Sequence, residues 1–375
     1  MKLKDESTQH PLFLNLLSAA IWNKPANSAP FEKLSKETWR GIVDIANEQS
    51  VSALVADKAL SLPAESLPPR ALSLQFMVMI KQTEALNRKM IHVLSDLINE
   101  YKEANFPFCL LKGLSTGINY PSPLYRNSGD IDLYLYQKGD FERATEWFTK
   151  KGFVIEHGDR IHNKFIKDGV WVENHSRIIY FNNKKYDIQF KKWEKELIEK
   201  NNFTFVQIDN LMVKQLPLEM NAFYIFQHLF QHFVHGGVGF RQFCDWLLFL
   251  SKHKGKISAD SFSAIAKSYA LLYPMQVFAR AAVKYLDAPE TIFPFEMIHD
   301  DKHADWIIAD IFQGGNFGFY HPGEQRPKGK LRSLWFSTKR VIKRSKQFGE
   351  ISPEHSQKLP FNLLVYRLKS VFKWK

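Results

Sequence analysis

The stretch LLKGLSTGINYPSPLYRNSGDIDLYLY, residues 110–136, decides the reading of the fold. It begins within the apolar run FCLL (108–111), bounded by Pro107 on one side and Lys112-Gly113 on the other, the pattern of a short buried strand closed by a turn. Further on, Ile131, Leu133 and Leu135 alternate with Asp130, Asp132 and Tyr134, the two-residue period of a strand with one buried face. Asp130 and Asp132 therefore project from the same face of that strand. Carboxylates held so close repel and raise one another's pKa unless cations compensate, and hard oxygen ligands of this kind suit Mg²⁺ (or Mn²⁺) bound jointly with substrate phosphates. Strand, glycine turn, short helix and Asp-x-Asp strand would bring a triphosphate between a helix N-terminus and a metal pair.

Outward from this stretch, DFERATEWFTKKG (140–152) reads as an amphipathic helix closed by Gly152, and FVIE (153–156) as a strand. KFIKDGVWVENH (164–175) reads as a hairpin turning at Asp168-Gly169, with Trp171, Glu173 and His175 on one face of its second strand. Residues 11–103 carry apolar residues at three- and four-residue spacing, interrupted at Pro63, Pro68 and Pro69, and helices resume at Pro217 to run to about Ile311. The expected fold class is α+β: a small mixed sheet with helices over 106–210, flanked by an N-terminal helical region (1–105), a C-terminal helical region (211–321) and a basic amphipathic tail (322–375). In the tail, Leu331, Leu334, Trp335, Val341 and Ile342 form the expected apolar stripe, and Phe361, Leu363 and Leu364 are further apolar positions able to pack.

Composition narrows the function class. Of 375 residues 45% are hydrophobic and only 24% charged, with 31 Phe, 13 Tyr and 9 Trp, which excludes an intrinsically disordered chain. Cys109 and Cys244, both in apolar runs, cannot build a disulfide framework or a cysteine zinc site, so a reducing compartment, the cytoplasm, is expected. The apolar run near the N-terminus is short and interrupted by Asn15, and no later stretch approaches the ~18 apolar residues that signal a transmembrane helix. The net charge of +12 is uneven: residues 322–375 hold fourteen Lys/Arg against three Asp/Glu, whereas residues 1–321 hold 37 against 36. Contact with a polyanion or an anionic membrane surface, and with it a peripheral location, is therefore expected of the tail.

Lys112-Gly113, Tyr120, Pro123, Arg126 and Asp130-Ile131-Asp132-Leu133 together resemble a poorly characterised family of nucleotidyltransferases within the DNA polymerase β superfamily, whose signature runs LKG…Y…P…R…DIDL. WVENH (171–175), HLFQHFVHGGVGFRQFCDWLLFL (228–250) and QSVSALVADKAL (49–60) are similar to further segments of that family, so the resemblance covers roughly residues 11–310. It implies that Asp130 and Asp132 bind catalytic divalent metals and that Glu173 is the third carboxylate, helping to activate an acceptor hydroxyl. It implies also that Gly113 forms the turn opening the nucleotide-binding helix and that Lys112 or Arg126 neutralises phosphate charge. The chain departs from the wider superfamily in having Lys-Gly where a Gly-Ser turn is usual, with sixteen residues between Gly113 and Asp130; Ser115 is the candidate substitute. The substrate implied is an NTP, with a small molecule, sugar, peptide or RNA as acceptor.

Structural readings stand beside these. Glu173 could pair with Lys164 or Arg177 on the sheet surface, and Arg126 could anchor its loop. His228, His232 and His235 share one helix face, where packing and hydrogen bonding to the α/β core is expected rather than metal binding, and Arg241 and Asp245 are spaced for an ion pair. At the level of function, a nucleotide-binding regulatory module with weak or no turnover and an RNA-modifying enzyme are the alternatives to transfer onto another hydroxyl.

Overall fold

The computed structural model describes residues 6–157, 161–318, 320 and 329–356. They fall into two compact units, one of the described residues within 6–47, 51–180 and 192–224, the other of those within 48–50, 181–191 and 225–356.

The first unit begins with four helices, α1 (Glu6–Ile21), α2 (Lys36–Glu48), α3 (Ser52–Leu60) and α4 (Arg70–Glu103). Along α4 the buried side chains Leu72, Phe76, Ile80, Thr83, Asn87, Met90, Leu94, Leu97 and Tyr101 recur every three or four residues, one face of a helix. There follow β1 (Phe108–Leu110), α5 (Leu114–Gly117), β2 (Asp130–Leu135), α6 (Asp140–Lys150), β3 (Glu156–His157), β4 (His162–Lys167) and β5 (Val170–His175). The strands form a mixed sheet in the order β1-β2-β5-β4-β3. β2 runs antiparallel to β1 and parallel to β5, and β5 is antiparallel to β4. The expected hairpin turn is present: Asp168 and Gly169 both have positive φ, 51° and 73°, as a two-residue primed turn requires.

Ile131, Leu133 and Leu135 of β2, Val170 and Val172 of β5, Phe165 of β4 and Leu110 of β1 enter one core with Met90, Leu94, Ala144 and Phe148 of the helices. At the end of this inward row Asn174 accepts a 2.5 Å hydrogen bond from the Tyr101 hydroxyl, so the buried amide oxygen is satisfied. Pleating then puts Asp130, Asp132 and Tyr134 of β2 and Trp171, Glu173 and His175 of β5 on the opposite face.

Two elements were not read from sequence: α7 (Lys184–Glu199) and the hairpin β6 (Thr204–Ile208)–β7 (Leu211–Gln215). The expected limit of the α/β core at 210 falls in this hairpin's turn, where Asp209 has a φ of 54°. Its strands are five residues each, too short for alternation to stand out. FVIE is likewise shorter as a strand than expected, pairing only through Glu156 and His157.

The chain continues with α8 (Leu218–His235), α9 (Phe240–Lys252), α10 (Ala259–Ser268), α11 (Leu272–Leu286), α12 (Asp301–Gly314), α13 (Lys330–Gln347) and α14 (Pro353–Ser356). In the second unit Arg344 of α13 makes a bidentate pair with Asp310 of α12, at 2.8 and 2.7 Å, and its Nε donates to the Phe233 carbonyl. Arg340 donates to the carbonyls of Gly236 and Gly318. The expected apolar stripe of the tail is split: Val341 is buried, whereas Trp335 is 70% exposed and Ile342 also faces out. The side chains of Leu331 and Leu334, and residues Phe361, Leu363 and Leu364, lie outside the described residues. Among the described residues no helix is long and apolar enough to cross a membrane.

Because Asp310 and Arg344 are each 4% exposed, Arg344→Met should leave a buried carboxylate uncompensated and destabilise the second unit by about 3–5 kcal/mol. Thermal melts should show a clear drop for Arg344→Met and substantial recovery in the double variant with Asp310→Leu. A single variant melting like wild type would show that the pair does not hold α13.

Candidate active site

The candidate site lies on the face of β2 and β5 turned away from the apolar core. Their parallel register sets Asp130 opposite Trp171, Asp132 opposite Glu173 and Tyr134 opposite His175, so carboxylates from two strands meet across one ladder step. Asp132 is fully buried, and both its oxygens are engaged: Oδ2 accepts from Lys112 Nζ at 2.5 Å, and Oδ1 lies 3.0 Å from His175 Nε2. His175 Nε2 is also 3.7 Å from Glu173 Oε2, and His162 of β4, the cross-strand partner of His175, brings its Nε2 to 3.9 Å from that same oxygen.

Lys112 reaches Asp132 because of how β1 ends. The Leu111 amide still donates to the Asp132 carbonyl at 3.1 Å, and the chain then turns at Gly113, with φ 74° and ψ −111°. Any side chain at 113 would be strained at this φ, and a Cβ there would come 3.1 Å from the Asp130 carbonyl oxygen. From the opposite direction, Asn87 of α4 donates to the carbonyls of Leu124 and Arg126, both at 2.8 Å, which fixes the loop leading into β2.

Charge is distributed unevenly. Burial opposes ionisation of Asp132, but the Lys112 ammonium and then the His175 hydrogen bond outweigh it, holding the carboxyl well below its usual range. Burial works against the Lys112 ammonium too, and Asp130 and Asp132 more than reverse this, so the group stays protonated. Glu173 is pushed up, first by burial and then by the charge of Asp132. The repulsive aspartate pair expected from sequence is thus offset from within the chain, by Lys112 and His175 acting on Asp132.

Asp132, Glu173 and His175 offer ligand atoms that all lie within 4.8 Å of one another. Two ligands of one ion, each bonded at ~2.1 Å, lie ~3.0 Å apart at a right angle and ~4.2 Å apart across it, so the 3.0 and 3.7 Å separations around His175 Nε2 fit a shared cation. Asp130, at the start of β2, is half-buried on the same face, and its charge acts on both Lys112 and Glu173.

The remaining expected residues are placed as follows. Ser115 is buried and its hydroxyl donates to the Leu111 carbonyl, so its proton supports the turn. Arg126 is buried against Gly117, with Nη1 donating to Ser128 Oγ at 3.1 Å, which anchors the loop. Lys164, across the ladder from Glu173, lies over the Trp171 ring and 3.8 Å from Glu156, and Arg177 pairs with Glu194. His175 shares the face of Glu173 as the sequence reads, but its approach to Asp132 and that of His162 to Glu173 depend on cross-strand register, which the sequence does not carry. His228 and His232 approach each other at 3.2 Å, and His235 meets Asn182 at 3.4 Å, hydrogen-bonding positions of the kind expected for this helix face. Arg241 lies over the Phe317 ring, and Asp245 is buried on α9. Burial pushes the thiols of Cys109 and Cys244 up, which leaves them unreactive.

A family model described as an uncharacterised nucleotidyltransferase matches residues 35–287. No curated protein and no solved structure matches the chain.

In metal-free buffer Asp132→Asn should lower stability by about 3 kcal/mol, since it removes the buried partner of the half-buried Lys112 ammonium, while Asp130→Asn should have a smaller effect. Parallel thermal melts check this; equal midpoints for the two variants would mean that the Lys112–Asp132 pair carries no stability.

Proposed function

The chain belongs to the uncharacterised nucleotidyltransferase family, and from that premise we propose that it moves a nucleoside monophosphate from an NTP to a hydroxyl acceptor on the outward face of β2 and β5. The observation that carries the reading is the ladder step pairing Asp132 with Glu173, with Asp130 on the same strand and Lys112 at its edge. In this reading the small mixed sheet is that of the DNA polymerase β superfamily. Asp130, Asp132 and Glu173 would hold Mg²⁺ or Mn²⁺, and such an ion would supply positive charge for the phosphates and acidity for the acceptor hydroxyl.

The chain's own groups do the rest. Lys112 is placed to exchange Asp132 for a phosphate oxygen, and Gly113 lets the backbone approach without a side chain intervening. Ser115 and Arg126, expected as nucleotide contacts, act by fixing the turn and the loop beneath them. As the acceptor oxygen bonds to the α-phosphorus and the bond to the bridging oxygen breaks, pyrophosphate leaves, and the acceptor proton passes to Glu173. The acceptor, whether small molecule, sugar, peptide or RNA, is recognised by surface outside this carboxylate group. The polyanion or membrane-surface contact of residues 322–375 falls to the outward side of α13, where Arg332, Trp335, Lys339, Lys343 and Lys346 are exposed. Two buried thiols suit a cytoplasmic protein held at most peripherally to a membrane.

Incubation with each [α-³²P]NTP and Mg²⁺ or Mn²⁺, over a panel of acceptors that includes transfer RNA and the protein itself, should give a labelled product with equimolar pyrophosphate. Asp132→Asn should reduce that rate about a hundredfold or more. Nucleotide binding without pyrophosphate release over the whole panel would support the regulatory module instead.

A further inference from the structure

Resting on the reading of this face as a divalent-ion site, we infer that the ion is held by Asp132, Glu173 and His175, with His175 Nε2 as a nitrogen ligand, and that the site selects a first-row transition ion of the Mn²⁺ type over Mg²⁺. Position carries the first half of this. His175 Nε2 lies between the two carboxylates, 3.0 Å from Asp132 Oδ1 and 3.7 Å from Glu173 Oε2, and these donors come from two neighbouring strands. The His175 ring is buried and its Nδ1 has no hydrogen-bond partner, so the side chain is held by what Nε2 meets.

Division of labour on Asp132 points the same way. Oδ2 is held by Lys112, leaving Oδ1 as the oxygen beside the imidazole. A cation entering there joins two anionic oxygens and one neutral nitrogen while Lys112 keeps the other oxygen. Mg²⁺ prefers an all-oxygen octahedron and keeps several waters, whereas an imidazole ligand raises affinity for first-row transition ions. His162 is the next nitrogen along, its ring centroid 5.3 Å from that of His175 and its Nε2 3.9 Å from Glu173 Oε2, outside the three-residue group.

The full chain, loaded with Mn²⁺ alone, should bind one ion by electron paramagnetic resonance, and pulsed spectra should show ¹⁴N modulation from a coordinated imidazole. Labelling the protein with ¹⁵N-histidine should convert that modulation to the ¹⁵N pattern, a readout that needs no variant to fold. His175→Gln should lose the nitrogen signal and bind Mn²⁺ about tenfold or more weakly, His162→Ala should keep it, and Mg²⁺ should displace Mn²⁺ only at about tenfold excess or more. Bound Mn²⁺ with no nitrogen coupling, nitrogen coupling lost in His162→Ala alone, or equal affinity for the two ions would each overturn the inference. Those outcomes would leave nucleotidyl transfer standing, because that is judged by label transfer; failure to bind either ion would overturn the inference and remove the metal-dependent form of the proposed reaction as well.

Discussion

A fully buried, ionised carboxylate, Asp132, is the constraint on which the first unit depends. Taking such a group out of water costs several kcal/mol unless opposite charge is supplied at hydrogen-bond distance. Lys112 supplies it and His175 adds a hydrogen-bonding contact, and each is in place for a separate reason. Lys112 arrives because β1 stays hydrogen-bonded to β2 through Leu111 and then turns at a glycine; His175 arrives because β5 runs parallel to β2 in the register that pairs Asp132 with Glu173. The apolar rows on the other side of those strands fix that register, since a one-residue slip would turn Asp132 and Glu173 into the apolar core and take Ile131, Leu133 and Val172 out of it. The core therefore determines where the charges meet, and the charges in turn make a reactive face possible.

A site of this kind is balanced without its substrate. Lys112 neutralises Asp132 in the resting protein and is also the group proposed to meet a triphosphate. One lysine can serve both states because an ammonium is a compact point charge on a flexible stem. Glu173 shares the ladder step but not that protection, and its carboxyl is pushed up by burial and by Asp132. Two carboxylates in one step thus differ in state, Asp132 as the fixed anion and Glu173 as the group open to a cation or a proton.

Much of this was legible in the sequence because it follows from period and turn chemistry. The strand beginning at Asp130, the Asp168-Gly169 turn and the shared face of Trp171, Glu173 and His175 are local patterns that the structure has, although β2 is buried on both faces rather than the one its alternation suggests. What escaped depends on partners remote in sequence. Lys112 and Asp132 are twenty residues apart and meet only through β1–β2 pairing, while His162 comes to Glu173 only through the β4–β5 register. Ser115 and Arg126 looked like ligands for phosphate because their chemistry allows it, but the turn and the loop use them first. The tail carries a similar lesson: a net excess of cations does not equal free charge, since Arg340 and Arg344 are bound to carbonyls and to Asp310.

The proposed chemistry requires nucleotide and divalent ion to meet on the β2–β5 face. A crystal structure of the full chain with Mn²⁺ and a non-hydrolysable NTP analogue, read by anomalous scattering at the manganese edge, tests it most directly. The expected result is a manganese peak in contact with Asp132 and Glu173, the triphosphate on the same face, and Lys112 turned toward a phosphate oxygen. A nucleotide bound elsewhere, with the Lys112–Asp132 pair intact and no manganese between the carboxylates, would contradict it.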